Sequence, residues 1–99
     1  MITYELAKKL KDAGFPFRFK TGININTDIV EMFNIDELWY VSPTLSELIN
    51  ACGDKFTNLD RYKSNGEIKW QAEYIYMFFG HGFTPEEAVV NLYLSLNQK

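Results

Sequence analysis

Residues 56–79, FTNLDRYKSNGEIKWQAEYIYMFF, decide the fold of this chain. Asn65-Gly66 is a dipeptide preferred in type I′ turns, so the flanking residues 56–62 and 67–79 are predicted to form the two strands of a β-hairpin. This loop also sets the strand register, which joins three pairs of residues: Arg61 with Trp70, Leu59 with Ala72, and Phe56 with Ile75.

The second predicted strand is apolar on both faces beyond residue 74. Side chains alternate between the two faces of a strand, and here both alternating sets contain large apolar residues: Tyr76 and Phe78 in one, Ile75, Met77 and Phe79 in the other. A strand that is apolar on both faces is covered on both. We therefore expect a second cover, either residues 15–19 or a second chain.

Three helices are predicted from apolar residues at helical spacing, at about 3–13, 43–52 and 85–97. Thr84 followed by Pro85 and Glu87 marks the start of the third helix. The second helix has two possible starts, Ser42-Pro43 or a capping box of Thr44 with Glu47. Together with a short strand at 37–41 and a weak one near 23–27, these elements predict a single α+β domain over residues 1–99, with a small antiparallel sheet and helices on one face.

The composition excludes several classes of protein. The chain has 99 residues, a net charge of −3 and one cysteine. It contains no apolar run of the roughly 20 residues that span a bilayer and no secretory signal, so we expect no membrane contact and a cytoplasmic location. One cysteine cannot form an internal disulfide. The acidic net charge argues against a nucleic-acid partner.

Charge is distributed unevenly along the sequence. Residues 1–20 sum to +3, residues 21–54 to −6 and residues 55–99 to 0. The acidic segment either pairs with the basic one inside the fold or forms a negative face for a basic partner. It overlaps a possible insertion at about 18–40, and its charged and aromatic residues are the predicted partner-binding set: Asp28, Glu31, Phe33, Asp36, Glu37 and Trp39.

Candidate chemical groups are few. His81 is the only histidine, and the glycines on either side of it predict a tight strand-to-helix connection. Cys52 lies on the apolar stripe of the second helix and is predicted to be a buried thiol. We therefore predict no catalytic residue, no metal site and no cofactor. Eight Phe, six Tyr and two Trp exceed what a small core needs, which favours either dense packing or an interface, including a possible homodimer.

Residues 3–16 (TYELAKKLKDAGFP), 42–53 (SPTLSELINACG) and 84–97 (TPEEAVVNLYLSLN) resemble segments of small uncharacterised proteins encoded by bacteriophages and prophages. The resemblance implies a phage gene acting in a bacterial cytoplasm and implies no particular activity. A second resemblance, of residues 82–88 (GFTPEEA), is to HicB-type antitoxins, and it consists largely of helix-start residues.

These observations lead to one functional prediction and two alternatives. The first is a non-enzymatic phage accessory protein that binds a host protein with a basic surface, such as a component of a bacterial defence system. The second is a homo-oligomer that binds a small ligand or nucleotide through Arg61, Lys69 and His81. The third is a HicB-like antitoxin or regulator.

Overall fold

The computed structural model describes residues 2–18 and 32–97. Its elements follow in the order α1 (Tyr4–Asp12), β1 (Met32–Ile35), β2 (Leu38–Val41), α2 (Leu45–Cys52), β3 (Phe56–Ser64), β4 (Glu67–Tyr74), β5 (Phe78–Gly82) and α3 (Pro85–Leu96). The strands form two antiparallel sheets, β1-β2 and β3-β4-β5. The predicted α+β class and the three helices are confirmed. The weak strand predicted near 23–27 lies outside the described residues.

Each helix begins after a threonine. The hydroxyls of Thr3, Thr44 and Thr84 accept hydrogen bonds from the backbone N–H three residues later, at 3.2, 3.2 and 3.1 Å. Such a cap contributes about 1 kcal/mol by satisfying an otherwise unpaired N–H group. At α2 the Glu47 carboxylate also accepts from the Thr44 N–H, which completes the capping box. Of the two possible starts of α2, the structure therefore uses Thr44.

The β3–β4 hairpin closes at Asn65-Gly66, as predicted. Both residues have positive φ, 51° and 82°, which is the type I′ conformation. The predicted pairs Arg61–Trp70 and Leu59–Ala72 are present. The third predicted pair is wrong, because a register shift between residues 56 and 58 places Phe56 opposite Tyr74 rather than Ile75.

The prediction of one strand over 67–79 is also wrong. β4 ends at Tyr74, residues 75–77 form a turn, and β5 pairs back along β4 in antiparallel register. Ile75 and Tyr76 have φ of 45° and 60°, and the Met77 N–H donates to the Tyr74 carbonyl at 3.1 Å. Neither Ile nor Tyr is a turn residue, so the sequence carries no local sign of this reversal.

Gly80-His81-Gly82 lies inside β5 and is not the predicted strand-to-helix connection. A Cβ on Gly80 would lie 2.3 Å from both the Ala88 carbonyl oxygen and the Leu92 nitrogen of α3. A Cβ on Gly82 would lie 2.7 Å from side-chain atoms of Glu87. The glycines are therefore needed because the helix backbone lies directly on the strand.

One buried cluster joins the helices to both sheets, and its most completely buried large side chains are Leu10, Ile35, Leu48, Val89, Val90 and Leu92. Phe15 packs edge-on against Tyr93 of α3, and Phe17 packs edge-on against Tyr40 of β2. These two phenylalanines are therefore core residues. The expectation that residues 15–19 cover the second apolar face is not met by Phe15 or Phe17, and Phe19 lies outside the described residues.

Candidate functional site

The predicted acidic docking residues are dispersed in the structure. Asp28 and Glu31 lie outside the described residues. Phe33 is in the core, with 7% of its surface exposed, so its ring is not available to a partner. Asp36 and Glu37 form the exposed two-residue turn between β1 and β2, and Trp39 follows with 47% exposed.

Two acidic side chains of residues 21–54 pair with basic side chains of residues 1–20. Lys11 Nζ lies 2.7 Å from Asp36 Oδ2. Arg18 holds Glu47 through two bonds, Nε to Oε2 at 2.8 Å and Nη2 to Oε1 at 3.0 Å. The uneven charge of the sequence therefore becomes attraction within the fold at these two sites, which was the first of the two interpretations.

The ion pairs change the pKa values of their carboxyl groups. The hydrogen bond from Lys11 and the charge behind it lower the pKa of Asp36. The same hydrogen bond raises the pKa of Lys11. At Glu47, partial burial acts to raise the pKa, but hydrogen bonds from the Thr44 backbone and the Arg18 guanidinium outweigh it and the pKa is lowered.

The alternative ligand-binding residues do not converge. Arg61 lies opposite Trp70 in the ladder, on the sheet face that packs against α3. Lys69 and His81 lie on the other face, where His81 Nε2 is 3.1 Å from Gln71 Oε1 and the Lys69 ammonium is 5.5 Å from the Phe83 ring centre. A single small ligand would not contact all three residues in this arrangement.

Cys52 has the environment of a structural thiol. Its side chain is buried, and its Sγ lies 3.9 Å from the Val89 carbonyl oxygen. Burial raises the pKa of this thiol to about 11, so the thiolate needed for nucleophilic attack is scarce at neutral pH. Within residues 2–18 and 32–97, no three metal-ligating side chains come together.

Among the described residues, the turn between β4 and β5 carries the most exposed group of large apolar residues in consecutive positions. Tyr76 and Met77 are 76% and 70% exposed, and Phe78 and Phe79 are 39% and 43% exposed. We call residues 76–79 the apolar turn. Its three rings, at roughly 200 Å² each when fully exposed, present roughly 300 Å² to solvent in total, divided between the two faces of the sheet at Phe78 and Phe79.

The binding residues predicted from the sequence do not include this turn. The sequence pattern beyond residue 74, with apolar residues in both alternating sets, predicts a strand that is covered on both faces. The structure explains the same pattern differently: the chain reverses at residues 75–77, so side chains from both sets project at the end of the sheet.

No protein-family model, no curated protein and no solved structure matches this chain. Among the described helices, none is both long enough and apolar enough to cross a membrane.

Proposed function

We propose that this chain is a non-catalytic binding protein that docks onto another protein through the apolar turn. The observation that carries the proposal is the exposure of four consecutive large apolar side chains, residues 76–79, at a tight reversal of the chain. Rings and methionine side chains of this kind are the usual energetic anchors of protein interfaces, because they bury large areas when a partner covers them.

The backbone of the turn supports the same conclusion. Ile75, a β-branched residue, has a φ of 45°, and Tyr76 has a φ of 60°. Left-handed conformations cost such residues about 1–2 kcal/mol each, and strained residues are concentrated at functional sites. The other reversal of the same sheet uses Asn65-Gly66, which adopts positive φ at much lower cost. The chain therefore displays apolar side chains where an unstrained turn was available.

The proposal also includes the kind of partner that the apolar turn binds. The resemblance of residues 3–16, 42–53 and 84–97 to phage proteins supports a host protein in a bacterial cytoplasm as the partner. Inhibition of a bacterial defence system is the role we propose for this binding. The net charge of −3 supports a partner with a basic surface.

Affinity capture from bacterial lysate tests the docking surface. The baits are the wild-type chain, a Tyr76→Ser/Met77→Ser variant, and a Phe83→Ser control that removes a ring 60% exposed between β5 and α3. We expect the first variant to lose the partner and the control to keep it. A fourth bait, Glu37→Ala/Trp39→Ala, tests the surface predicted from sequence. Loss of the partner only with this fourth bait would move the site to the β1–β2 turn.

Light scattering on the pure chain identifies the case in which the partner is a second copy. A monomer is expected. A dimer that Tyr76→Ser/Met77→Ser converts to a monomer would replace the host partner by the chain itself.

A further inference from the structure

The β3 strand is an edge of the three-stranded sheet, and no residue of the described ranges 2–18 and 32–97 pairs with its outer side at Arg61 or Lys63. In an antiparallel hairpin closed by a two-residue loop, Ser64 and Glu67 form a hydrogen-bonded pair, and such pairs alternate along the ladder. The backbone groups of Leu59, Arg61 and Lys63 therefore point away from β4. An exposed edge of this kind is a template for one further strand.

At other positions on the two sheet edges, asparagine side chains form hydrogen bonds with the outward backbone groups. Asn58 Oδ1 accepts from the Leu59 N–H at 3.1 Å, and Asn58 Nδ2 also donates to Asp60. On the opposite edge, Asn91 Nδ2 donates to the His81 carbonyl at 2.6 Å. Among the described residues, no such side chain covers the outward groups of Arg61 and Lys63, so an added strand would find up to four backbone bonds there.

The open part of the edge borders a cavity with a basic rim. The cavity has a volume of about 270 Å³ and is lined by Arg61, Tyr62, Lys63 and Ile68. Arg61 and Lys63 are both exposed, and no carboxylate of the described residues forms an ion pair with either. Lys63 lies opposite Ile68 in the ladder, so cationic and apolar side chains occur on one face of the hairpin end.

We propose that the outer edge of β3 at Arg61 and Lys63 binds an extended acidic peptide segment as an additional antiparallel or parallel strand. The peptide backbone pairs with the outward N–H and C=O groups, and its carboxylates lie against the Arg61 guanidinium and the Lys63 ammonium. An apolar side chain of the peptide contacts Ile68 in the cavity. This site lies at the opposite end of β4 from the apolar turn and does not depend on the function proposed above.

A peptide fits this edge better than a nucleic acid. The unpaired backbone groups complement another main chain, whereas a nucleic acid would contact only the two cations.

Two capped decapeptides test the proposal by NMR of the ¹⁵N-labelled chain: an alternating Glu-Val repeat and an alternating Lys-Val repeat. The acidic peptide is expected to shift the amides of Arg61 and Lys63 and to slow their hydrogen exchange. The basic peptide is expected to leave them unchanged. Arg61→Glu/Lys63→Glu should weaken binding of the acidic peptide at least tenfold, since a lost charge-assisted contact corresponds to about a factor of ten.

Both substituted side chains are exposed, and retention of the dispersed spectrum shows that the variant is folded. Three results would overturn the proposal: no binding of the acidic peptide at millimolar concentration, equal binding by the double variant, or shifts confined to residues 76–79. Shifts of the Arg61 and Lys63 amides by oligothymidine but not by the acidic peptide would assign the edge to nucleic acid instead.

Discussion

At the scale of single residues, Gly80 has the closest neighbours among the described glycines. A Cβ at this position would lie 2.3 Å from two backbone atoms of α3, and backbone cannot move aside as a flexible side chain can. We expect Gly80→Ala to lower the free energy of unfolding by about 3 kcal/mol, measured as a shift of the urea midpoint.

Gly14→Ala is the matched control, because Gly14 has a φ of 89° but no atom within 4 Å of an added Cβ. Its cost is the conformational one alone, about 1–2 kcal/mol. Equal losses in the two variants would show that α3 does not lie on β5 as closely as described.

Asp36 gives a prediction about pH. Its pKa is lowered by the hydrogen bond and charge of Lys11, so the pair adds stability above the carboxyl's unfolded-state pKa, and that stability is lost as pH falls through the folded-state pKa. Because both side chains reach solvent, the effect on stability is small and weakens with salt. The pKa itself is the better measurement.

We expect Lys11→Met to raise the pKa of Asp36 toward its ordinary value in an NMR titration of the side-chain carboxyl. Lys8→Met is the control: Lys8 lowers this pKa through its charge only, as the smallest contribution, so its removal should shift the pKa less. A shift as large with Lys8→Met as with Lys11→Met would contradict the ion pair.

At the scale of elements, the two turns of the β3-β4-β5 sheet differ in cost. Residues 65–66 are Asn-Gly, and residues 75–76 are Ile-Tyr in similarly left-handed conformations. We expect Ile75→Asn/Tyr76→Gly to raise the free energy of unfolding by about 1–2 kcal/mol in thermal denaturation, by relieving strain in the turn, while partner binding falls because Tyr76 is lost.

The reverse exchange is the control for that variant. Asn65→Ile/Gly66→Tyr should destabilise the chain by a similar amount and leave partner binding intact. A more stable Ile75→Asn/Tyr76→Gly variant that still binds would separate the strain from the function. A less stable one would mean that the Ile75 side chain contributes packing that outweighs its backbone cost.

The elements that sequence predicted correctly are those with local signals. The threonine caps, the proline at the start of α3 and the Asn65-Gly66 turn each act within four residues, so they can be recognised without knowing the fold. The turn at residues 75–77 has no such signal. Its left-handed residues accompany the pairing of β5 with β4 and the close fit of Gly80 to α3, and these packing contacts are not encoded in any turn preference of Ile75 or Tyr76.

At the scale of the whole molecule, ion pairs and a backbone hydrogen bond join the N-terminal segment to the segment that contains β1, β2 and α2. Within the described residues, Lys11 with Asp36 and Arg18 with Glu47 join the basic and acidic parts of the chain. The Val41 N–H donates to the Arg18 carbonyl at 2.8 Å, and Val41 also pairs with Met32. Residues 18 and 32 therefore meet at β2, and β1 contributes Phe33 and Ile35 to the core.

The ion pairs within the chain explain why the candidate site could be predicted only partly from the sequence. The acidic residues could be counted in the sequence, but whether each faces a partner or a lysine of the same chain depends on packing. Exposure of residues 76–79 likewise depends on where β4 ends. The sequence predicted a contact surface of acidic and aromatic residues between positions 28 and 39, whereas in the structure a more exposed set of aromatic and apolar residues lies at a different turn, residues 76–79.

The proposed docking function requires that the apolar turn is the contact surface, and the amount of partner recovered per bait tests this most directly. Quantitative mass spectrometry of the captured material is predicted to show at least a tenfold drop with Tyr76→Ser/Met77→Ser, consistent with loss of about 1.4 kcal/mol or more of binding free energy, and no change with Phe83→Ser. Equal recovery of the partner by the wild-type chain and by Tyr76→Ser/Met77→Ser would contradict docking through the apolar turn.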